Sequence, residues 1–272
     1  RSQISKKRIK NLMRNEFAKI ITELSIVKKD IVLLAGDIGN RLFDNFKKNN
    51  PERFYNCGVA EANMTGVASG LASSGFRPVT YTITPFNTAR CFEQIRLDIC
   101  YPNLPVIIVG TGSGLSYASL GATHHSMEDI SILKTLPNLQ IICPADKKEV
   151  REAFIKAYES NKPTYIRLGK KGEPLIHKKK PNFQIGKSIF LKKGNDVALL
   201  GVGNALSIAA KCEEELFKKK IKCDLVSFHT PKPLDKKLLT NLFKSNKLIA
   251  IIEEHGLIGG VGSSVLEWAN EN

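Results

Sequence analysis

The sequence predicts an α/β protein made of two parallel-sheet domains. Three observations carry that expectation. Strand-like apolar runs alternate with helix-patterned segments along the chain, the pattern of a parallel sheet with crossover helices. The 272 residues suit two domains at roughly 150 residues each. A stretch rich in lysine, glycine and proline, Gly169–Asn182 (GKKGEPLIHKKKPN), divides the chain and reads as a linker. The expected units are residues 1–170 and 183–272, with 171–182 between them.

In the first unit the predicted strands are Asp30–Ala35, Arg53–Asn56, Pro78–Thr82, Pro105–Gly110, Leu139–Cys143 and Pro163–Leu168. Helical patterns fall near Lys7–Leu24, Glu61–Ser74, Phe86–Cys100, Glu128–Leu136 and Lys147–Ser160. The second unit repeats the alternation on a smaller scale. Its strands are Asp196–Leu200, Lys222–Ser227 and Leu248–Ile252, and its helices are Ala205–Lys219, Asp235–Ser245 and Gly260–Ala269. It stops on a helix, which predicts a terminal strand and helix beyond residue 272.

Composition removes several classes. Apolar residues at 42% and charged residues at 25% exclude disorder, collagen-like repeats and coiled coil as dominant states. No apolar run reaches the ~18 residues of a membrane span, and no secretory leader is read. The net charge is +15. It sits in short lysine runs such as Lys178–Lys180 and Lys218–Lys220, while residues 51–150 hold 7 basic and 8 acidic side chains. That distribution reads as solvated lysine faces rather than a nucleic-acid-binding element. The six cysteines form no CxxC pair and read as buried, reduced thiols of a cytoplasmic protein.

Four segments carry chemistry. In Phe54–Gly75 (FYNCGVAEANMTGVASGLASSG) a strand enters a helix, with Met64, Val67, Ala68 and Leu71 on one face and Gly66 and Gly70 four apart. Each interior glycine costs a helix ~1 kcal/mol against alanine, so the pair implies close approach by another helix or a ligand. Glu61 is the only charge between Arg53 and Arg77. It is either a dipole-complementing residue of the first turn or a buried carboxyl that shares a proton with a ligand nitrogen. In Thr80–Leu97, Phe86 follows Pro85, with Arg90 and Gln94 at i+4 and i+8. This is either a core aromatic with surface polars or a stacking platform.

In Pro105–Glu128 a buried strand empties into a Gly-, Ser- and Thr-rich loop ending in Thr123-His124-His125. Such a loop lies outside the carboxyl end of a strand, where ligands of parallel sheets bind. The glycines lack dinucleotide spacing, and His125 with Glu128 falls short of a metal motif. The histidines are loop residues or proton-handling site groups. Finally, Tyr165–Leu168 carries Arg167 near a strand end, as an edge charge or a phosphate clamp.

Taken in order, these segments resemble the C-terminal half of transketolase-type thiamine diphosphate enzymes, over essentially the whole chain. The residues are Gly58–Met64, Phe86–Arg90, Gly121–His124, Glu128–Ile130, Pro137-Asn138, Pro144–Asp146, and Glu253–His255 ahead of Gly259–Gly262. The resemblance implies a pyrimidine-binding domain and a smaller C-terminal domain. It makes Glu61 the acid that hydrogen-bonds N1′ of the cofactor's aminopyrimidine, and Phe86 the aromatic packed on that ring. Arg90 lies nearby, and Asp37 falls in the loop near cofactor and substrate. His124 matches a histidine that contacts the donor sugar, and Arg167 falls where an arginine meets the sugar phosphate.

The Gly-Asp-Gly run and downstream asparagine that hold Mg²⁺ and the diphosphate have no counterpart here. The resemblance therefore implies a split transketolase. An N-terminal subunit supplies that domain, a homodimer core sits within a heterotetramer, and the substrate is a sugar phosphate or modified sugar. The beta subunit of a 2-oxo acid dehydrogenase is the competing enzyme class. A non-catalytic scaffold subunit and an RNA-binding protein are the non-enzymatic alternatives. Gly112 stands where many members have histidine, Leu120 replaces an acid, and Ile83 replaces an aromatic. The first two suggest an altered donor.

Overall fold

The computed structural model describes residues 13–39 and 41–272. Two sheets organise it. The first has six strands: β1 (Ile31–Ala35), β2 (Phe54–Asn56), β3 (Arg77–Ile83), β4 (Ile107–Thr111), β5 (Gln140–Ile142) and β6 (Thr164–Leu168). They lie in the order β2-β1-β3-β4-β6-β5, every pair parallel. The second sheet holds β7 (Ile189–Lys192), β8 (Val197–Gly201), β9 (Cys223–Ser227) and β10 (Leu248–Ile252), in the order β10-β8-β9-β7. One edge of the second sheet departs from the parallel pattern. The edge strand β7 runs antiparallel to β9, with a register shift between Phe190 and Lys192. Four residues of alternating burial, straight after the lysine-rich stretch, carry no separate strand signal.

Burial on both faces explains the apolar runs of β1, β4 and β6, which are buried at every position. One face of the first sheet packs Leu33, Val79 and Ile166 against Phe17 and Phe154 of the helices Met13–Val27 and Lys147–Ser160. The other face packs Val32, Leu34 and Ile108 against Met64 and Ala68. That second cluster continues into Leu200, Phe228, Leu239 and Trp268, so one apolar core joins the two sheets.

Local signals account for the helices. Asp146 caps Lys147–Ser160 by accepting from the backbone N–H groups of Lys148 and Glu149, and Asn161 ends that helix at φ +54°. The predicted helix Phe86–Cys100 is in fact broken. A short turn of helix, Thr84–Asn87, stops at Thr88 (φ −128°, ψ −82°), and a wider π-turn runs over Ile95–Cys100. The amide of Asn87 donates to the carbonyls of Thr80 and Val109, holding the break to the sheet. The start of the predicted Lys7–Leu24 helix lies outside the described residues, and the short helix Asp44–Asn49 was not anticipated.

Two further expectations change. Val67 is exposed rather than on the packed face of Glu61–Ser73, and Cys212 is exposed rather than buried. Among the described residues, no helix is long and apolar enough to cross a membrane.

Candidate functional site

The parallel register brings the carboxyl ends of β1, β3, β4 and β6 to one edge, with Ala35 beside Tyr81, Ile83 beside Thr111, and Thr111 beside Leu168. From β1 the chain goes to β2 on one side and then to β3 on the other. The crevice between β1 and β3 is thus a topological switch point, the favoured ligand position of such sheets.

Glu61 stands at that point. The turn at Gly58 (φ +65°) feeds the helix Glu61–Ser73, whose first residue drops its side chain behind the sheet edge. Its Cγ and the Thr82 side chain crowd Gly36, at the end of β1. A Cβ on Gly36 would lie only 3.1 Å from Thr82 Oγ1 and 3.3 Å from Glu61 Cγ, so glycine leaves room there. Glu61 is 3% exposed. Its Oε2 accepts a hydrogen bond from Arg90 Nη1 at 2.8 Å.

A chain of rings leads away from this pair. The Arg90 guanidinium lies over the Phe86 ring, 4.1 Å from its centroid. His124 meets Phe86 edge-on at 5.1 Å, and Tyr117 lies 5.8 Å beyond His124. Lys170 Nζ then caps the Tyr117 ring at 3.8 Å. The Tyr117 ring fills the space above Gly112, where a Cβ would overlap it. Thr123 Oγ1 and His124 Nδ1 are hydrogen-bonded at 2.9 Å. Burial raises the Tyr117 phenol above its ordinary range, against a smaller opposing effect of Arg14. Tyr117 and Lys170 were not singled out from the sequence. The signal available was a cation just beyond β6, three residues after Arg167.

The structure thus brings Glu61, Phe86, Arg90 and His124 together. Asp37 follows Gly36 and is exposed. Its N–H and Oδ1 are both bonded to the side-chain amide of Asn56, and it lines a cleft with Arg14 and Arg41.

Arg167 corrects the expectation of an open phosphate clamp. It is 4% exposed. Its Nε donates to Asp129 Oδ2 at 2.7 Å, and its Nη2 donates to Asp129 Oδ1 and to the carbonyls of Ser126 and Glu254. Those bonds turn the guanidinium inward and make it a strut between the two sheets' loops. Burial alone would raise the Asp129 carboxyl, but the Arg167 charge and the hydrogen bonds of Arg167, Tyr165 and Ser126 outweigh it and hold it below the usual range.

Among the described residues, the glycine pair of the Glu61–Ser73 helix meets no close neighbour. A Cβ on Gly66 or Gly70 would have open space. Among the described residues, no group of three His, Cys, Asp or Glu side chains could hold a metal ion.

Two family models match separate stretches of the chain. Residues 10–173 match the family model described as transketolase, pyrimidine binding domain, and residues 186–272 match transketolase, C-terminal domain. The chain is 37% identical over 260 residues to one of the apulose-4-phosphate transketolase subunits of Actinobacillus succinogenes, covering 94% of this chain and 84% of that protein. It is 33% identical over 261 residues to the 6-deoxy-6-sulfo-D-fructose transketolase subunit SqwH of a Clostridium species, covering 96% and 81%. A solved structure described as a split gene transketolase, inactive beta4 tetramer, superposes with a TM-score of 0.89 at 35% identity, covering 96% of this chain and 84% of that one.

Proposed function

The chain belongs to the transketolase family, and from that premise we propose that it is the C-terminal subunit of a two-chain transketolase. It transfers a two-carbon ketol unit between sugars and depends on thiamine diphosphate and on a separate N-terminal subunit carrying the diphosphate-binding domain. The observation that carries this reading is a buried carboxyl, Glu61, linked through Arg90 to an aromatic face, Phe86, at the switch point of the sheet.

These residues suit the aminopyrimidine half of the cofactor. Phe86 offers a flat apolar surface, Glu61 a hydrogen-bonding carboxyl kept from water, and Gly36 the missing Cβ that lets the carboxyl side chain approach the sheet end. When bound, thiamine diphosphate supplies the electron sink for the two-carbon fragment. Glu61 offers its carboxyl as the hydrogen-bond partner of the ring nitrogen N1′. The diphosphate and Mg²⁺ belong to the partner subunit in this proposal.

His124, oriented through Nδ1 by Thr123, presents its other ring nitrogen to a donor sugar. Lys170 is the open cation at the far end of the ring chain and takes the substrate's anionic end, the role Arg167 is too enclosed to play. Two relatives carry names that include such a group, phosphate in one and sulfo in the other. A cytoplasmic heterotetramer with two copies of each chain completes the proposal.

The test is reconstitution with the partner subunit and a coupled ketol-transfer assay over a panel of phosphorylated ketoses. Glu61→Gln is expected to lower turnover about 100-fold or more, the range of a lost proton-transfer group, with an unchanged melting profile. Near-normal turnover of that variant would remove Glu61 from its role. A reconstituted wild type that oxidatively decarboxylates 2-oxo acids instead would replace the proposed reaction.

A further inference from the structure

Arg90 bonds to one of the two groups proposed to seat the aminopyrimidine and stacks on the other. Its Nη1 donates to Glu61 at 2.8 Å, and its guanidinium plane covers Phe86 at 4.1 Å. We propose that Arg90 is a seat-holder: in the unloaded chain its guanidinium stands where the cofactor ring must lie, and loading exchanges one for the other. The inference rests on the cofactor reading above and deepens it.

The guanidinium shares three properties with the ring it would precede. It is planar, it donates N–H bonds to a carboxylate, and it stacks on an aromatic face. Its presence also has an electrostatic reason. A carboxylate only 3% exposed is costly to seal without a counter-charge, and Arg90 supplies it.

Yet the same contact opposes the proposed work of Glu61. Arg90 Nη1 occupies Oε2 at 2.8 Å, and a ring nitrogen needs that carboxyl for its own hydrogen bond. Arg90 and the ring therefore cannot both be served in this arrangement.

The arginine is built to leave. Its side chain is 42% exposed, so solvent is one rotation away. It sits in the irregular turn Ala89–Cys91, after the break at Thr88, rather than on a rigid helix face. Among the described residues, its guanidinium bonds to Glu61 and stacks on Phe86.

The experiment is calorimetric titration of thiamine diphosphate with Mg²⁺ into the complex reconstituted with its diphosphate-binding subunit, for the wild type, Arg90→Ala and Arg90→Lys. If the arginine fills the seat about 90% of the time, removing it should tighten the apparent Kd about tenfold. Arg90→Ala should also lower the melting temperature of the cofactor-free complex, so that loading raises it by more than in the wild type. Arg90→Lys keeps the charge without the plane and should tighten binding by a smaller factor. It serves as the readout if the alanine variant does not fold. Unchanged or weaker binding in the variants overturns the seat-holder. No binding by the wild-type complex overturns the cofactor reading, and this inference with it.

Discussion

Arg167 Nε lies 2.7 Å from Asp129 Oδ2, and the two side chains are 3% and 2% exposed. The pair joins β6 to the start of the helix Asp129–Lys134, and the bond from Arg167 to the Glu254 carbonyl extends it to the end of β10. Tyr165 completes the site by donating to Asp129 Oδ2 at 2.7 Å.

Breaking one side of this pair should be costly, because it strands a buried charge. Arg167→Met or Asp129→Asn is expected to lose about 3–5 kcal/mol of stability, while the double variant Asp129→Leu/Arg167→Met loses less than either. Urea unfolding of the three proteins measures this. Single-variant losses below about 1 kcal/mol would rank the pair with ordinary surface bridges.

A second buried network predicts a pH dependence. Glu149 Oε1 accepts from His177 Nε2 and Ser227 Oγ, both at 2.6 Å, linking the first sheet's helix, the connecting stretch and β9. Burial would lower the His177 pKa, but the hydrogen bond and charge of Glu149 raise it overall. Glu149 is held low despite its burial, by the His177 bond and the nearby histidines. A base with a raised pKa contributes its full stability below about pH 6.5 and loses it as the pH climbs through the folded value. The stability difference between wild type and His177→Gln should therefore be largest just below pH 6.5, about 1.5–3 kcal/mol for a charged hydrogen bond. It should shrink toward alkaline pH, and fade at acid pH as Glu149 protonates. The neighbouring His229, lowered by burial and in smaller part by His177, slopes the other way, and its contribution weakens in the variant. A flat difference across pH 5–9 in thermal unfolding would count against the assignment.

Gly112 adopts φ +83° under the Tyr117 ring. Gly112→Ala adds backbone strain and pushes the ring aside. It should cost about 1–3 kcal/mol and raise KM for the donor sugar more than it lowers kcat. Adding Tyr117→Ala should recover the part of the stability that was lost to overlap. Equal effects on KM and kcat would place Tyr117 outside the substrate's path.

Lys170→Ala should raise KM for a phosphorylated donor about tenfold, near 1.4 kcal/mol, with kcat little changed. The effect should fade as salt is added, since a half-exposed charge is screened. A KM that is equal in both proteins at low salt would return the anion receptor to the partner subunit.

Most of the first sheet was legible because apolar runs of five or six residues, such as Ile31–Ala35 and Ile107–Thr111, have no other way to bury both faces. Glu61 was legible too, as the lone charge in a small-residue helix. The β7 edge strand was not, because four residues, alternately half-buried and exposed, are too short a run to stand out. The helix break at Thr88 was equally hidden, since the Asn87 amide holds it both to the preceding strand at Thr80 and to Val109 in the next strand, a pairing that only the folded sheet creates.

The linear order of residues was enough for the alternation of strands and helices, because this follows from local periodicity and turn residues. Whether an arginine faces water or an aspartate could not follow from spacing. Folding turned Arg167 inward onto Asp129 and set Arg90 against Glu61, both through contacts between segments that local pattern does not join. The energy of a charged group is set by its desolvation and by the partner brought beside it, and both come into being when the sheets close around them.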